Sequence, residues 1–324
     1  MKQPHESIAK ISGLFGKSRQ AFHQMEKRRV HQNINEEIVV VYVKGIRRKQ
    51  PRIGTRKLYS LLKPVMESNS IKMGRDKFFD LLRKRDLLVK RRRKYARTTD
   101  SDHMFKKYPN LIEGYIPSGP EQIWVSDITY LYTEKGFVYL SLVTDFYSKR
   151  IMGYHVHPTL ETNGPLKALR MALKGRIYKK GTRLIHHSDR GIQYCCNDYI
   201  KVLEKDDIII SMSRRGNPYE NAIAERVNGI LKSEFYLDRC FTNITEVRTV
   251  VKEVVKTYNT LRPHASCDYM TPLLAHEQQG IINKRWKTYK HKKTAKNLEP
   301  IGEEVKKVLA QLLKKSYATK AAPA

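Results

Sequence analysis

The stretch Trp124-Val125-Ser126-Asp127-Ile128-Thr129-Tyr130 decides how this chain folds. Its β-branched and aromatic residues mark a strand. A carboxylate stands at its centre, where burial is costly unless the charge is paired or meets a metal. Working outward, strand character extends over Gln122 to Tyr132, and Glu134-Lys135-Gly136 marks a turn. Phe137 to Thr144 is an almost unbroken apolar run, and after a second turn at Tyr147-Ser148-Lys149 a third strand spans Ile151 to Val156. Three strands joined by tight turns form an antiparallel meander.

Beyond the meander the pattern alternates. The spacing predicts a helix near 162–174, a strand over Arg183 to His187, a helix near 194–204, a strand over Ile208 to Met212 and a helix near 218–236. Three antiparallel strands followed by alternating helices and strands give an α/β, ribonuclease-H-like mixed sheet with helices on both faces. Two more acids then stand out. Asp189 closes the short strand Leu184-Ile185-His186-His187-Ser188, at a carboxyl edge of the kind where open α/β sheets place their chemistry. Glu225 lies on the following helix, whose start reads as Asn217 N-cap, Pro218 in the first turn and Glu220 completing a capping box. Glu220 and Glu225 are five positions apart, roughly 140° around a helix, so only one can face the sheet edge. Glu220 already has a use at the cap, which leaves Glu225 as the third acid beside Asp127 and Asp189. Three converging carboxylates suit two Mg²⁺ or Mn²⁺ ions in phosphoryl displacement.

Composition agrees with a polyanionic partner. The 324 residues carry 63 Lys+Arg against 32 Asp+Glu, a net charge of +31. The length suits about two domains. No run approaches the roughly 20 apolar residues of a membrane helix, and the start lacks the apolar core of a signal peptide, so a cytoplasmic, nucleoid-associated protein is expected. Four cysteines are too few for a disulfide scaffold and are read as reduced. His186-His187 with adjacent Cys195-Cys196 lacks zinc-site spacing, and Asp145, at a strand end, reads as a turn cap.

The domain boundaries expected are a helix-turn-helix-like region over 1–50, a second helical DNA-binding region over 51–97, a linker over 98–120, the catalytic core over 121–275 and a basic tail over 276–324 with a helix near 301–314. In the first region Ile8, Ile11 and Leu14 repeat at helical spacing, Gly16 breaks the helix and Ser18 can cap the next. In the second, Thr55 can cap a helix through Leu58, Leu61 and Leu62, ended by Pro64, and another runs from Arg75 to Leu82. Both pairs read either as DNA-binding modules or as ordinary core helices. Nine basic residues crowd between Arg83 and Arg97, and Arg91-Arg92-Arg93-Lys94 can track a phosphate backbone. The tail reads equally as a DNA contact or a solubilising segment.

Four stretches carry a family likeness: Trp124 to Tyr130, His187-Ser188-Asp189-Arg190-Gly191-Ile192-Gln193-Tyr194, Ser213 to Glu225, and Tyr258-Asn259-Thr260-Leu261-Arg262-Pro263-His264. In this order they resemble bacterial insertion-sequence transposases with a retroviral-integrase-type catalytic domain. The resemblance implies that Asp127, Asp189 and Glu225 are the catalytic, metal-holding acids. It places a basic residue at Lys232, two helical turns beyond Glu225, flanked by Asn221 and Asn228. It further implies DNA contacts at Arg215, Lys232, Arg262 and His264, and a packing role for the last motif. The implied activity is hydrolytic cleavage of 3′ ends at the terminal inverted repeats of a mobile element, then transfer of the 3′-hydroxyl to another phosphodiester. The implied partners are double-stranded DNA, at least a second copy of the chain, and a protein from an overlapping upstream frame. Retroviral integrases carry an amino-terminal His-His-Cys-Cys zinc module; this chain has no cysteine before Cys195. A nuclease that cuts without joining, or a repressor with an inactive core, are the competing readings.

Overall fold

A computed structural model of the chain describes residues 7–89, 104–177, 183–214 and 221–283. The basic run Arg91-Arg92-Arg93-Lys94, Arg215, the Asn217 cap with Glu220, and the tail helix expected near 301–314 lie outside the described residues.

The amino-terminal part is helical. α1 (Ile8–Leu14) leads through Gly16, at φ +63°, into α2 (Arg19–Lys49), whose Ser18 cap accepts from the Ala21 amide at 3.1 Å. α2 is one helix of 31 residues, so the described part of this region, residues 7–50, holds one short and one long helix. Its carboxy-terminal half packs with α3 (Thr55–Ser68) and α4 (Arg75–Lys84): Val39, Val40 and Val43 join Leu58, Leu62, Met66, Phe78, Leu81 and Leu82 in one apolar cluster. Gly54, not Thr55, is the N-cap of α3. The helix also continues through Pro64, because Leu58, Leu62 and Met66 keep their four-residue spacing into the same core.

The catalytic part is built on β1 (Ile123–Thr133), β2 (Gly136–Asp145), β3 (Ile151–His157), α5 (Asn163–Lys174), β4 (Ile185–Ser188), α6 (Ile192–Cys195), α7 (Asn197–Lys205), β5 (Ile209–Met212), α8 (Ala222–Glu234), β6 (Cys240–Phe241), α9 (Ile244–Thr260) and α10 (Pro272–Ala275). The sheet order is β3-β2-β1-β4-β5, with β6 beside the far end of β1. The meander is antiparallel, whereas β1-β4 and β4-β5 are parallel. This is the expected ribonuclease-H-like mixed sheet. The single helix expected near 194–204 is instead α6 and α7, because Cys196 takes extended backbone between them.

Strand alternation sorts the side chains. Trp124 and Ile128 point to the cluster under α5, α6 and α7, while Leu131 joins the cluster under α8 and α9. Asp127 shares the α8 side by parity. The segment expected as a free linker is partly attached: the Met212 amide donates to the Pro109 carbonyl at 3.2 Å, the Leu111 amide to Ser211 Oγ at 2.9 Å, and Ile112 is buried. At the other end the core runs past residue 275, since His276 is buried beside Ser148 and the Gly280 amide donates to the Ser118 carbonyl at 2.7 Å. Asp145 is a structural acid, as expected. Its carboxylate accepts from the Ser148 amide and hydroxyl and from the Glu121 amide, each at 2.7 Å.

α5 lies so close to β3 that a Cβ on Gly153 would stand 2.0 Å from the Ala168 carbonyl oxygen and 2.7 Å from the Ala172 nitrogen. Both obstacles are backbone, so neither can step aside. Gly153→Ala is expected to destabilise the protein by about 1–3 kcal/mol or more through overpacking. The shift in the urea midpoint measures it, and an unchanged midpoint would contradict the close approach.

Candidate active site

The parallel register sets the site. Val125 lies opposite His187, so Asp127 and Asp189 come two residues later on neighbouring strands, at the edge where β4 ends. Asp189 Oδ1 accepts from the Gly191 amide at 3.0 Å, which fixes the turn into α6. α8 crosses this edge. Its side chains reach β1 in two places: Asn221 Nδ2 donates to the Ser126 carbonyl at 3.2 Å, and Asn228 Nδ2 donates to Asp127 Oδ2 at 2.8 Å. Glu225 lies between them, exposed, in the first turn of the helix.

Among the described residues the helix begins at Ala222 with Asn221 as N-cap. Glu225 stands in the first turn, where the helix dipole favours a negative charge. Lys232 stands two turns further along the same helix, half-buried, with its ammonium 4.2 Å from the centre of the Tyr130 ring. Burial lowers its pKa, and the Asp127 charge partly restores it. Tyr130 is therefore beside Lys232 rather than sealed in the core. β4 stops short of it, leaving this part of β1 open to Lys232.

The electrostatics tie the acids together. Burial pushes the Asp127 carboxyl up to about 7, and the Asp189 charge adds to the rise. The bonds from Asn228 and from the Ile128 backbone oppose it, and Glu225 contributes a smaller repulsion. A carboxyl raised in this way by burial and fellow acids is one that a nearby cation would stabilise. The all-oxygen donor set of Asp127, Asp189 and Glu225 fits a hard divalent ion such as Mg²⁺ or Mn²⁺. The Oδ1 atoms of Asn221 and Asn228 are buried and have no hydrogen-bond partner among the described residues. Among those residues no three His, Cys, Asp or Glu side chains stand close enough together to hold one metal ion.

Two expected DNA contacts are corrected. Arg262 is 1% exposed, and its guanidinium makes a two-pronged pair with Glu234, Nε and Nη2 each at 2.9 Å from a carboxylate oxygen. Glu234 also takes Lys57 Nζ at 2.7 Å, from α3. Burial alone would raise the Glu234 pKa, yet these two cations hold it below the ordinary value, while burial and the neighbouring Arg262 push Lys57 down to about 8. His264 is buried with Nε2 at 2.9 Å from the Tyr258 hydroxyl. The resemblance implies DNA contacts at both, but Arg262 and His264 are buried and bonded to Glu234 and Tyr258 instead. His186 and His187 are likewise internal: His186 Nε2 lies 2.7 Å from Ser126 Oγ and 3.0 Å from Tyr199 Oη, and His187 Nδ1 is 2.9 Å from Ser211 Oγ. Asn228 is the functional residue that sequence reading leaves without a role. Its three-residue spacing from Glu225 is the available signal.

A mixed sheet of this order with helices on both faces is a ribonuclease-H-like fold, and it brings carboxylates toward one edge. An integrase core domain matches residues 117–218, and a second integrase core domain matches residues 206–272. Over 273 residues, 82% of this chain and 97% of the other, the sequence is 34% identical to the insertion element IS600 uncharacterized 31 kDa protein of Shigella sonnei. It is 35% identical over 193 residues to transposase InsF for insertion sequence IS3A of Escherichia coli (strain K12), covering 59% of this chain and 66% of that protein. The catalytic core of HTLV-2 integrase in complex with magnesium aligns with 50% of this chain and 99% of that one, at 18% identity and a TM-score of 0.40. The chain belongs to the bacterial insertion-sequence transposases with an integrase core, and it is an enzyme of the DDE type.

Two outcomes follow from this geometry. Arg262→Ala takes two charge-assisted hydrogen bonds from Glu234 and leaves Lys57 to hold it from one side, and is expected to cost about 1–3 kcal/mol in urea unfolding. Arg262→Lys should recover only part, because it lacks the two-pronged fork. Wild-type stability with weakened DNA binding would instead restore the surface reading. The second outcome concerns pH. Since the folded Asp127 carboxyl titrates near 7 and an unperturbed one at 3.8, the metal-free native state keeps a proton that the unfolded chain has released. Its contribution therefore declines as pH rises from about 4 to 7. In EDTA, Asp127→Asn should melt above wild type at pH 8, and the gap should close toward pH 4. Parallel melting curves across that range would refute the raised pKa.

Proposed function

We propose that this transposase binds the terminal inverted repeats of its element, cleaves the 3′ ends by hydrolysis and transfers each freed 3′-hydroxyl to a phosphodiester of target DNA. The observation that carries the reading is Asp127: a carboxyl on the central strand, raised by burial and by the nearby charges of Asp189 and Glu225. Asp127, Asp189 and Glu225 would hold two Mg²⁺ or Mn²⁺ ions. When bound, the ions lower the pKa of the attacking hydroxyl and neutralise charge building on the phosphate.

The protein's own groups do the rest. Asn228 holds one oxygen of Asp127, so the other is left to turn toward the edge. Asn221 anchors the head of α8 to β1 and so fixes where Glu225 stands. Lys232, stacked on Tyr130, offers a fixed cation to the phosphate of the DNA end. The helices α3 and α4 would read the repeats, Arg91-Arg92-Arg93-Lys94 would follow the backbone, and Arg215 would meet DNA before α8. Two ends require at least a dimer, and the upstream-frame protein is the further partner. Among the described residues no helix is long and apolar enough to cross a membrane, which agrees with a nucleoid-associated role.

The test is an end-cleavage and strand-transfer assay on DNA carrying the element's repeats. Asp127→Asn, Asp189→Asn and Glu225→Gln should abolish both steps while leaving end binding nearly intact. Asn228→Ala should lower activity about ten- to a hundredfold, in part rescued by raised metal concentration. Joining that persists without Glu225 would overturn the acid assignment. Cutting without joining in the wild type would favour a nuclease, and binding with neither step a repressor.

A further inference from the structure

α2 has two apolar faces, and the fold uses one. Val39, Val40 and Val43 enter the cluster shared with α3 and α4. On the opposite side Val30, Ile34 and Val41 are 50%, 53% and 66% exposed. At 100° per residue, Val41 is roughly 160° from both Val39 and Val43, so no tilt of the helix can bury both sets against one core. The outward residues continue at alternating spacings of four and three: His23, Lys27, Val30, Ile34, Glu37, Val41. That is the seam of a helix pairing with another helix. Gly45 lies beside its carboxy-terminal end, where none of the described residues stands within 4 Å of an added Cβ.

We propose that this seam pairs α2 with α2 of a second copy of the chain, antiparallel about a two-fold axis near residue 32. The charges choose the orientation. In a parallel pair His23, Lys27 and Glu37 would each face their own like. In the antiparallel pair Val30 packs on Ile34 of the other copy, His23 lies by Val41, and Lys27 meets Glu37, each contact occurring twice. That reciprocity is what an isologous dimer requires. Glu37 is 57% exposed, and its present partner, Arg85, is a surface cation that follows α4 and can share it. The span from His23 to Val41 is about 27 Å of helix, and the amino-terminal half of α2 that carries much of it has no part in the described core clusters. The pairing deepens the reading of an enzyme that works on two ends at once, but it rests on α2 rather than on the acids. Asp127→Asn protein should therefore dimerise normally, so failure of one reading leaves the other intact.

Sedimentation of the full chain over a concentration series, at about 0.3 M salt to screen its net positive charge, tests the seam. Wild type should show a monomer–dimer equilibrium. Lys27→Glu should weaken it at least tenfold by setting a second carboxylate against Glu37, and the double variant Lys27→Glu with Glu37→Lys should restore it. Val30→Asp with Ile34→Asp should be monomeric with an unchanged melting temperature, since those side chains point away from the core. A monomeric wild type at about 100 μM, or a dimer indifferent to Lys27→Glu or to Val30→Asp with Ile34→Asp, overturns the proposal. Failure of the double variant to restore pairing overturns the antiparallel register.

Discussion

One carboxylate in the middle of the central strand sets the terms for the molecule. Asp127 is costly to hold where β1 places it, and each neighbouring element can be read as an answer. The parallel partner strand brings a second acid to the same level, and α8 crosses the edge with two amides and an ammonium. The sheet behind is sealed by Trp124 and the His186–Ser126–Tyr199 hydrogen bonds, so the charge is accessible from one side. The stability lost at Asp127 is made up elsewhere in the core, and what remains is a site with strong appetite for a divalent cation.

Most of this frame is legible in the residues. The meander announces itself by β-branched runs and by turns at Gly136 and Lys149, both at positive φ. The later alternation of strand and helix follows from changes of period. The acids are legible because each is locally anomalous: Asp127 is a charge within an apolar run, and Asp189 ends one. What the residues hide is tertiary. Nothing local distinguishes a guanidinium reaching for DNA from one reaching for Glu234, twenty-eight positions earlier in the chain. Pro64 looks like a stop until its helix proves to have apolar contacts on both sides of it. Likewise Tyr130 looks like core because alternation reports the face of a strand and not whether a neighbouring strand extends far enough to cover it.

The Glu234 cluster does more than fill space. Glu234 ends the helix that carries Glu225, Arg262 follows α9, and Lys57 belongs to α3, so one carboxylate joins the amino-terminal helices to the catalytic helix. The Arg52 amide donates to the Glu234 carbonyl at 3.0 Å, and the Arg52 guanidinium lies 5.5 Å from the Tyr236 ring centre. Two charged groups balanced on one acid hold direction as well as distance. The amino-terminal helices are thus tied to the carboxy-terminal end of α8 by hydrogen bonds rather than by a flexible tether.

The backbone bond from Gly280 to Ser118 closes the catalytic part on itself. Chain enters and leaves this part at neighbouring points, so the core is topologically a loop inserted between two basic arms. Such a unit can be lifted from one chain and set into another without rethreading the sheet. It also means that Ser118 and Gly280, at the two ends of this part, are held side by side. A change in either flanking segment can then leave the order of the sheet as it is.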